Sequence, residues 1–296
     1  MRQQKLSVRR PPDIAAVLSS SLTQRWQKYL KELRRCKRAF SEEAVHDVRV
    51  ATRRLMSTLM MIELLLPDRR VARVRRRLKR LFDALSPLRD TQVQLLTLGS
   101  TAVQYPELET LLTVLKLRER NAMAAAARRI QKMETAPMGR LLGALKQALR
   151  EHYAAPAMRR IGMEVLLGAA ASRFMTAQMF AEQARKGTPH AIHRARIAFK
   201  KFRYTREALL PLVPARSKNE LKAMDEYQTR MGNVQDAEVL SGVLRHFERT
   251  RPLASRRKLA PFRRELAVRK KELIAAYTQR AAELQKFWKP IHTYHS

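Results

Sequence analysis

The sequence predicts an all-α protein, a helical bundle of roughly ten helices. Leu, Ala, Arg, Met, Lys, Gln and Glu, which are strong helix formers, dominate throughout the chain. Only 8 of the 296 residues are glycine, and the Val/Ile/Thr alternation typical of strands is rare. A hydrophobic content of 45% is high enough to predict a folded chain with a real core.

Helix boundaries follow from local signals taken in chain order. Ser41 is a predicted N-cap, because Ala44 and Val45 begin an apolar helical pattern after it. Prolines mark the remaining boundaries, at Pro11, Pro12, Pro67, Pro87, Pro106, Pro137, Pro156, Pro189, Pro211, Pro214, Pro252 and Pro261. The segments between these signals are about 15 to 25 residues long, as in helical bundles. No polar linker divides the chain, so residues 10–290 are predicted to form a single domain.

The charge balance indicates a polyanionic partner. Lys and Arg number 61 against 26 Asp and Glu, which gives a formal net charge of +35. Such an excess destabilises a compact fold by self-repulsion unless anions neutralise it.

The single cysteine, Cys36, excludes an intramolecular disulfide and is compatible with a reducing compartment. The basic segment 1–13 lacks the apolar core of a signal peptide, and the apolar stretches 59–67 and 165–171 are too short to span a membrane. We therefore expect a cytoplasmic protein.

One predicted helix separates a core face from a cationic face. At about 100° per residue, Arg73, Arg76 and Arg80 fall within roughly 40° of Arg69. The opposite side carries the apolar residues Val71, Val74, Leu78, Leu81, Phe82 and Leu85. Such an arginine stripe is either a solvated outer face or an anion-binding surface, and the sequence leaves both open.

Two segments repeat the pattern of a histidine followed by basic residues on one helix face. In VHDVRVATRRL (45–55), His46, Arg49 and Arg53 are spaced i, i+3, i+7, and Arg54 lies on the flank. In IHRARIAFKKF (192–202) and the residue after it, the same face carries a longer set, namely His193, Arg196, Lys200 and Arg203, with Lys201 on the flank. Residues 190–206 contain no Asp or Glu. Both segments therefore predict cationic helix faces next to the core.

The two segments lie at a constant offset, which indicates an internal duplication. The offset 193 − 46 is 147, and identical residues recur at Ala44/Ala191, His46/His193, Arg49/Arg196 and Ala51/Ala198. Downstream, LSPLRDTQV and MGNVQDAEV align Asp90 with Asp236 at an offset of 236 − 90 = 146. We predict two similar halves, residues 10–155 and 156–290. As a hypothesis, these halves pack about a pseudo-two-fold axis with both basic helices at a shared groove.

The ordered double motif resembles the CHAD domain, the conserved histidine α-helical domain. VHDVRVATRRL followed by LRD, and IHRARIAFKKFRYTRE followed by MGNVQD, carry the resemblance over about residues 10 to 290. It implies an all-helical fold of two similar halves and a basic cavity that binds inorganic polyphosphate, often at polyphosphate granules. It also implies a binder without catalytic activity or cofactor. The contacting residues would be His46, Arg49, Arg53, Arg54, His193, Arg196, Lys200, Lys201 and Arg203, to which we add Arg73, Arg76 and Arg80 from the arginine stripe.

Two departures weaken the symmetry of the predicted site. Met56 stands where the second half has Arg203, so the first half has one cation fewer. The arginine stripe also has no equal in the second half, where Asn219, Lys222 and Glu226 stand opposite Arg73, Arg76 and Arg80.

Nucleic acid is the alternative ligand, since every phosphate-binding argument transfers to it. Aromatic residues make up only 6% of the chain, and no RNA-binding or zinc-finger motif occurs. Phe202 and Tyr204 are assigned to the core rather than to a base-stacking surface. Adventitious RNA binding is nevertheless expected at a net charge of +35.

The two motif histidines have an alternative role too, as core-edge residues that cap a neighbouring helix.

An enzyme receives little support from the sequence. There is no P-loop, and ELETL at 107–111 lacks the lysine of the ExExK motif found in triphosphate tunnel enzymes. His190 and His193 have metal-ligand spacing, but no Cys, Asp or Glu between 190 and 206 completes a site. Asp90 and Asp236 are candidate magnesium ligands, although capping a helix or pairing with an inward arginine is favoured.

The segment 256–273 carries eight cations and is interpreted first as a solvated face.

Overall fold

The chain is all-α in the computed structural model, which describes residues 13–99, 101–213 and 219–288. Within these ranges there are eleven α-helices and no strand. The helices are α1 (Ile14–Arg38), α2 (Glu42–Leu65), α3 (Arg69–Ala84), α4 (Ser86–Gly99), α5 (Glu109–Gln131), α6 (Ala136–His152), α7 (Pro156–Ala184), α8 (Pro189–Leu209), α9 (Glu220–Arg249), α10 (Leu253–Lys258) and α11 (Ala260–Arg280). Short 3-10 segments occupy Pro106–Leu108 and Ala281–Phe287. The predicted fold class is confirmed.

Helix starts coincide with the caps and prolines that the sequence offers. The Ser41 hydroxyl accepts a hydrogen bond from the Ala44 amide at 3.1 Å, which confirms the predicted N-cap of α2. Thr188, at 41 + 147 in the chain, caps α8 in the same way through the Ala191 amide at 3.3 Å. Pro156 and Pro189 are the first residues of α7 and α8. Pro11, Pro12 and Pro214 lie outside the described residues.

The core consists of two apolar clusters of unequal size. In the larger cluster, α1 pairs with α2, α7 pairs with α8, and α2 crosses α8. The smaller cluster lies between α4, α5, α9 and α11 and includes Leu111, Leu244, Phe262 and Leu266. The apolar residues of the segment 256–273 thus mostly enter this second cluster. Six of its eight cations, including Arg257, are exposed, as predicted for a solvated face.

Helix α3 has the two faces that its sequence predicts. Val71, Val74, Leu78 and Leu81 are buried. Arg69, Arg73, Arg76 and Arg80 are all exposed. Phe82, which the pattern placed on the core face, is only half-buried.

A buried ion pair fastens the end of α8 to the start of α9. Nη2 of Arg206 donates to Oε2 of Glu220 at 3.2 Å, and Nη1 donates to the Val213 carbonyl at 2.6 Å. Both side chains are 5% exposed or less. Removing one partner of such a pair leaves an uncompensated charge in the protein interior.

We expect Glu220→Ala to lower the free energy of unfolding by about 3 to 5 kcal/mol, because Arg206 is then buried without its carboxylate. The double variant Arg206→Met/Glu220→Leu removes both charges and should lose much less stability. Urea denaturation of both variants measures the difference. A double variant as unstable as Glu220→Ala would contradict this explanation.

Candidate functional site

The basic faces of α2 and α8 meet where the two helices cross. Nη1 of Arg53 on α2 donates to the Tyr204 hydroxyl on α8 at 3.0 Å. The charges of Arg53, Arg196 and Arg49 act together on Lys200. We call these four cations, Arg49, Arg53, Arg196 and Lys200, the central basic cluster. The structure therefore brings the two predicted faces together.

The pKa of Lys200 shows the effect of the neighbouring positive charges. Burial, followed by the charges of Arg53, Arg196 and Arg49, lowers its pKa from 10.5 to about 8. The ammonium also lies 6.0 Å from the centre of the Tyr204 ring. Because neighbouring cations disfavour the charged lysine, the cluster is destabilised by its own charge in the absence of an anion.

Arg49 is held in place by the junction of α3 and α4. Its Nη1 donates to the Phe82 carbonyl and to the Ser86 hydroxyl, each at 3.1 Å. Its guanidinium carbon lies 4.3 Å from the centre of the Phe82 ring, a cation–π contact. Burial, followed by the charge of Arg53, lowers the pKa of Arg49 to about 10, while Asp90 opposes that shift. The guanidinium is therefore preorganised beside its like-charged neighbours.

Two carboxylates that the predicted duplication aligns interact electrostatically with arginines of the cluster. The charge of Asp90 on α4 acts on Arg49, and the charge of Arg196 acts on Asp236 of α9. Burial and the nearby Asp90 raise the pKa of Asp236, and Arg196 opposes the rise. Each aspartate thus interacts electrostatically with an arginine, and its direct pairing with an inward arginine stays a prediction. Among the residues that the structure describes, no group of three or more His, Cys, Asp or Glu side chains has the geometry of a metal site.

The two motif histidines differ in their surroundings. His46 is exposed, yet partial desolvation, followed by the charges of Arg89 and Arg53, lowers its pKa. His193 is half-buried, and its Nδ1 is buried without a hydrogen-bond partner in the described ranges. That nitrogen consequently does not cap a neighbouring helix.

Acidic side chains from outside the motifs engage the edges of the site. Nε of Arg54 lies 2.8 Å from Oε1 of Glu207, and Arg203 donates to Asp225 of α9. Lys201 is exposed. The segment 190–206 contains no Asp or Glu, but carboxylates from α9 and from the end of α8 lie close to the basic residues in the folded protein. Arg54 and Arg203 thus have structural partners that the sequence pattern did not reveal.

The arginine stripe of α3 is exposed to solvent. Arg73, Arg76 and Arg80 are exposed. For the described residues, the main charges acting on Lys200 come from α2 and α8, and those acting on His46 come from α2 and α4. Participation of Arg73, Arg76 and Arg80 in anion binding therefore stays a prediction.

Tyr204 and Phe82 are site residues that sequence reasoning missed. Tyr204, which was assigned to the core, is half-buried, and its hydroxyl accepts from Arg53. Its position four residues after Lys200 places it on the same helix face, and this spacing was the available signal. Phe82 lies under Arg49 only because α3 ends beside α2, which no local pattern shows. Phe202 is fully buried, as predicted.

The fold and site together define an all-helical protein with a dense cationic cluster where two of its longer helices cross. The chain belongs to the CHAD domain family, whose match spans residues 20–245. This family is associated with polyphosphate binding.

Two solved structures share the fold. The crystal structure of the CHAD domain from the plant Ricinus communis matches with a TM-score of 0.62 and 20% identity, over 97% of this chain and 94% of that one. PptA from Streptomyces chartreusis matches with a TM-score of 0.61 and 17% identity, over 91% of this chain and 99% of that one. No curated protein sequence shows significant similarity. In the described part of the chain, every helix is too short or too polar to cross a bilayer.

Proposed function

We propose that this protein binds inorganic polyphosphate at the central basic cluster and catalyses no reaction on it. The observation that carries the proposal is the position of Lys200 among four arginines, Arg53, Arg196, Arg49 and Arg203, with its pKa lowered to about 8. A cluster destabilised by its own charge gains free energy when a polyanion neutralises it. Polyphosphate is a chain of closely spaced negative charges, so one chain is able to contact all four cations.

The donors of the cluster suit phosphate oxygens. Arginine offers a planar fork of N–H groups, and lysine offers a compact charge, which together accommodate oxygens at several angles. Nε of Arg53 and Nε of Arg196 are donors without an acceptor in the described ranges, and Nδ1 of His193 has no hydrogen-bond partner there. Donors without a protein acceptor favour a ligand that brings acceptors of its own.

The aromatic residues near the cluster favour polyphosphate over nucleic acid. Phe199 and Phe202 are 1% and 0% exposed, so they are closed to bases. The Tyr204 hydroxyl is already bonded to Arg53, and its ring lies 6.0 Å from the guanidinium carbons of Arg53 and Arg203. Recognition of single-stranded RNA depends on exposed rings that stack on bases. The described site offers charge without such a stacking surface.

The remaining predicted cations fit a secondary role in this proposal. Arg54 and Arg203 are engaged by Glu207 and Asp225, so they shape the site and contact the ligand less directly. Lys201 and the α3 stripe are exposed and would hold segments of a long chain that leave the cluster. Binding to long chains would also bring the protein to polyphosphate granules.

The proposal is tested by titrating a defined polyphosphate and an RNA of equal charge against the full chain in rising salt. We expect polyphosphate to bind at least about tenfold more tightly near physiological salt, and both affinities to fall as salt rises. Fluorescence anisotropy with labelled ligands measures both series. Equal affinities for the two polymers would contradict a polyphosphate site and favour unspecific polyanion binding.

A further inference from the structure

Helix α7 presents an apolar stripe to solvent. Six residues spaced 4, 3, 4, 3 and 4 apart fall within roughly 40° of a common centre line at about 100° per residue, and they are Ile161, Val165, Gly168, Ser172, Met175 and Met179. Ile161, Val165, Met175 and Met179 are 49%, 40%, 61% and 51% exposed. At 1.5 Å per residue the stripe is about 27 Å long. We call this set the α7 stripe.

No described residue covers the stripe, and the stripe is nearly uncharged. A Cβ added at Gly168 would meet no atom within 4 Å, whereas Leu166, Ala170 and Phe174 on the other side of α7 are buried. Residues 161–181 contain one acid, Glu164, and one cation, Arg173, in a chain that carries +35. A second copy is therefore able to approach this face without bringing a dense positive surface against another.

The stripe is complementary to itself when one copy is reversed. The sums 161 + 179, 165 + 175 and 168 + 172 all equal 340. In an antiparallel pair with two-fold symmetry, Ile161 faces Met179 of the second copy and Val165 faces Met175. Gly168 faces Ser172 at the centre, where two small residues allow close backbone approach.

Opposite charges lie at both ends of such a pair. Arg160 and Glu182 are exposed and lie on the same flank of the stripe, roughly 100° and 60° from its centre. The sum 160 + 182 is 342, so each Arg160 comes to nearly the same height as Glu182 of the other copy. Like flanks meet in an antiparallel two-fold pair, which gives two identical Arg160–Glu182 pairs between copies.

We propose that the protein forms a two-fold symmetric homodimer through antiparallel packing of α7 against α7 of a second copy. The nearly uncharged α7 stripe and the charge pairs at its ends favour a second copy of the chain over a basic or apolar partner. A strip about 27 Å long and about 10 Å wide is smaller than the roughly 800 Å² per partner of a stable interface. The dimer is therefore weak and reversible. This inference does not depend on the ligand of the basic cluster.

Sedimentation equilibrium of the full chain over a wide concentration range tests the dimer. We expect a monomer–dimer equilibrium based on the 34.3 kDa chain. Val165→Arg places a charge in the seam of both copies and should weaken the dimer at least about tenfold. Val268→Arg on α11 is the matched control, since Val268 is 56% exposed and the change in charge is the same. This control should leave the dimer unchanged.

A charge exchange tests the antiparallel register separately. Arg160→Glu and Glu182→Arg should each weaken the dimer about threefold. The double variant should restore it, because the two charges change places. A monomer at every concentration, a dimer insensitive to Val165→Arg, or a double variant weaker than both single variants would overturn the proposal. Binding of a monomeric chain to anionic vesicles through Val165 would also overturn it, by assigning the stripe to membranes.

Discussion

Replacing Arg49, Arg53, Arg196 and Lys200 together by glutamine is expected to weaken polyphosphate binding at least about 1,000-fold. Each of these cations would make a charge-assisted hydrogen bond to phosphate, worth about 1.5 to 3 kcal/mol when it is partly buried. Glutamine keeps much of the side-chain volume and avoids placing new carboxylates beside Asp90 and Asp236. Isothermal titration at constant salt measures the loss.

A matched variant separates a specific site from net charge. Arg257, Lys258, Arg264 and Lys271 are exposed cations at the α10 and α11 end of the bundle. Changing all four to glutamine gives the same net charge as the cluster variant, 35 − 4 = +31. We expect this control to bind within about threefold of the unmodified chain, since long-range charge alone is strongly screened. Equal losses in both variants would show that the cluster has no special role.

Lys200→Met is expected to stabilise the fold while it weakens binding about tenfold. The pKa of Lys200 is about 8 in the folded chain, below its ordinary value of 10.5. The charged lysine therefore costs stability below pH 8, and this cost disappears as the pH rises from about 8 to 10.5. Removing the charge at pH 7 should raise the free energy of unfolding by about 1 kcal/mol, after allowing for partial solvent screening.

The neighbouring lysine provides the control for that variant. Lys201 is exposed, so Lys201→Met should change both stability and affinity only slightly. Thermal unfolding and titration of both variants measure the two effects. A Lys200→Met protein that is less stable than the unmodified chain would show that the lysine contributes packing rather than charge strain.

The same lysine should make binding depend on pH. Phosphate favours the charged form, so polyphosphate binding takes up a proton when Lys200 is partly neutral. Affinity should fall as the pH rises above about 8, and Lys200→Met should flatten this part of the profile. A profile that is identical in both proteins would assign the dependence to another group.

Features that depend on neighbouring residues in the chain were predictable. Contacts between particular side chains on different helices were not. Ser41 and the prolines mark helix ends because caps and missing amides act within one turn. The faces of α2, α3 and α8 follow from spacing alone. Duplication of two halves stays a prediction, although Ser41 and Thr188 cap equivalent helices.

The missed contacts have one physical origin. Arg53 reaches Tyr204 across 151 residues, and Arg203 reaches Asp225 on another helix. Such contacts depend on which helices pack together, and helix periodicity says nothing about the neighbour that a face receives. The two faces of α3 show the reverse case, because they depend on spacing within one helix and were predicted correctly.

Met56 stands where the predicted duplication would place a cation in the first half of the site. It packs against the main apolar core at the position that corresponds to Arg203, which lies at the edge of the cluster. A nucleic acid strand has a direction, so an uneven site distinguishes its two orientations. Polyphosphate is the same molecule from either end, so under the proposed function a chain would bind the cluster in both directions with equal energy. With Met56 in place of a cation, the site has one phosphate contact fewer. This asymmetry would not fix the direction in which polyphosphate binds.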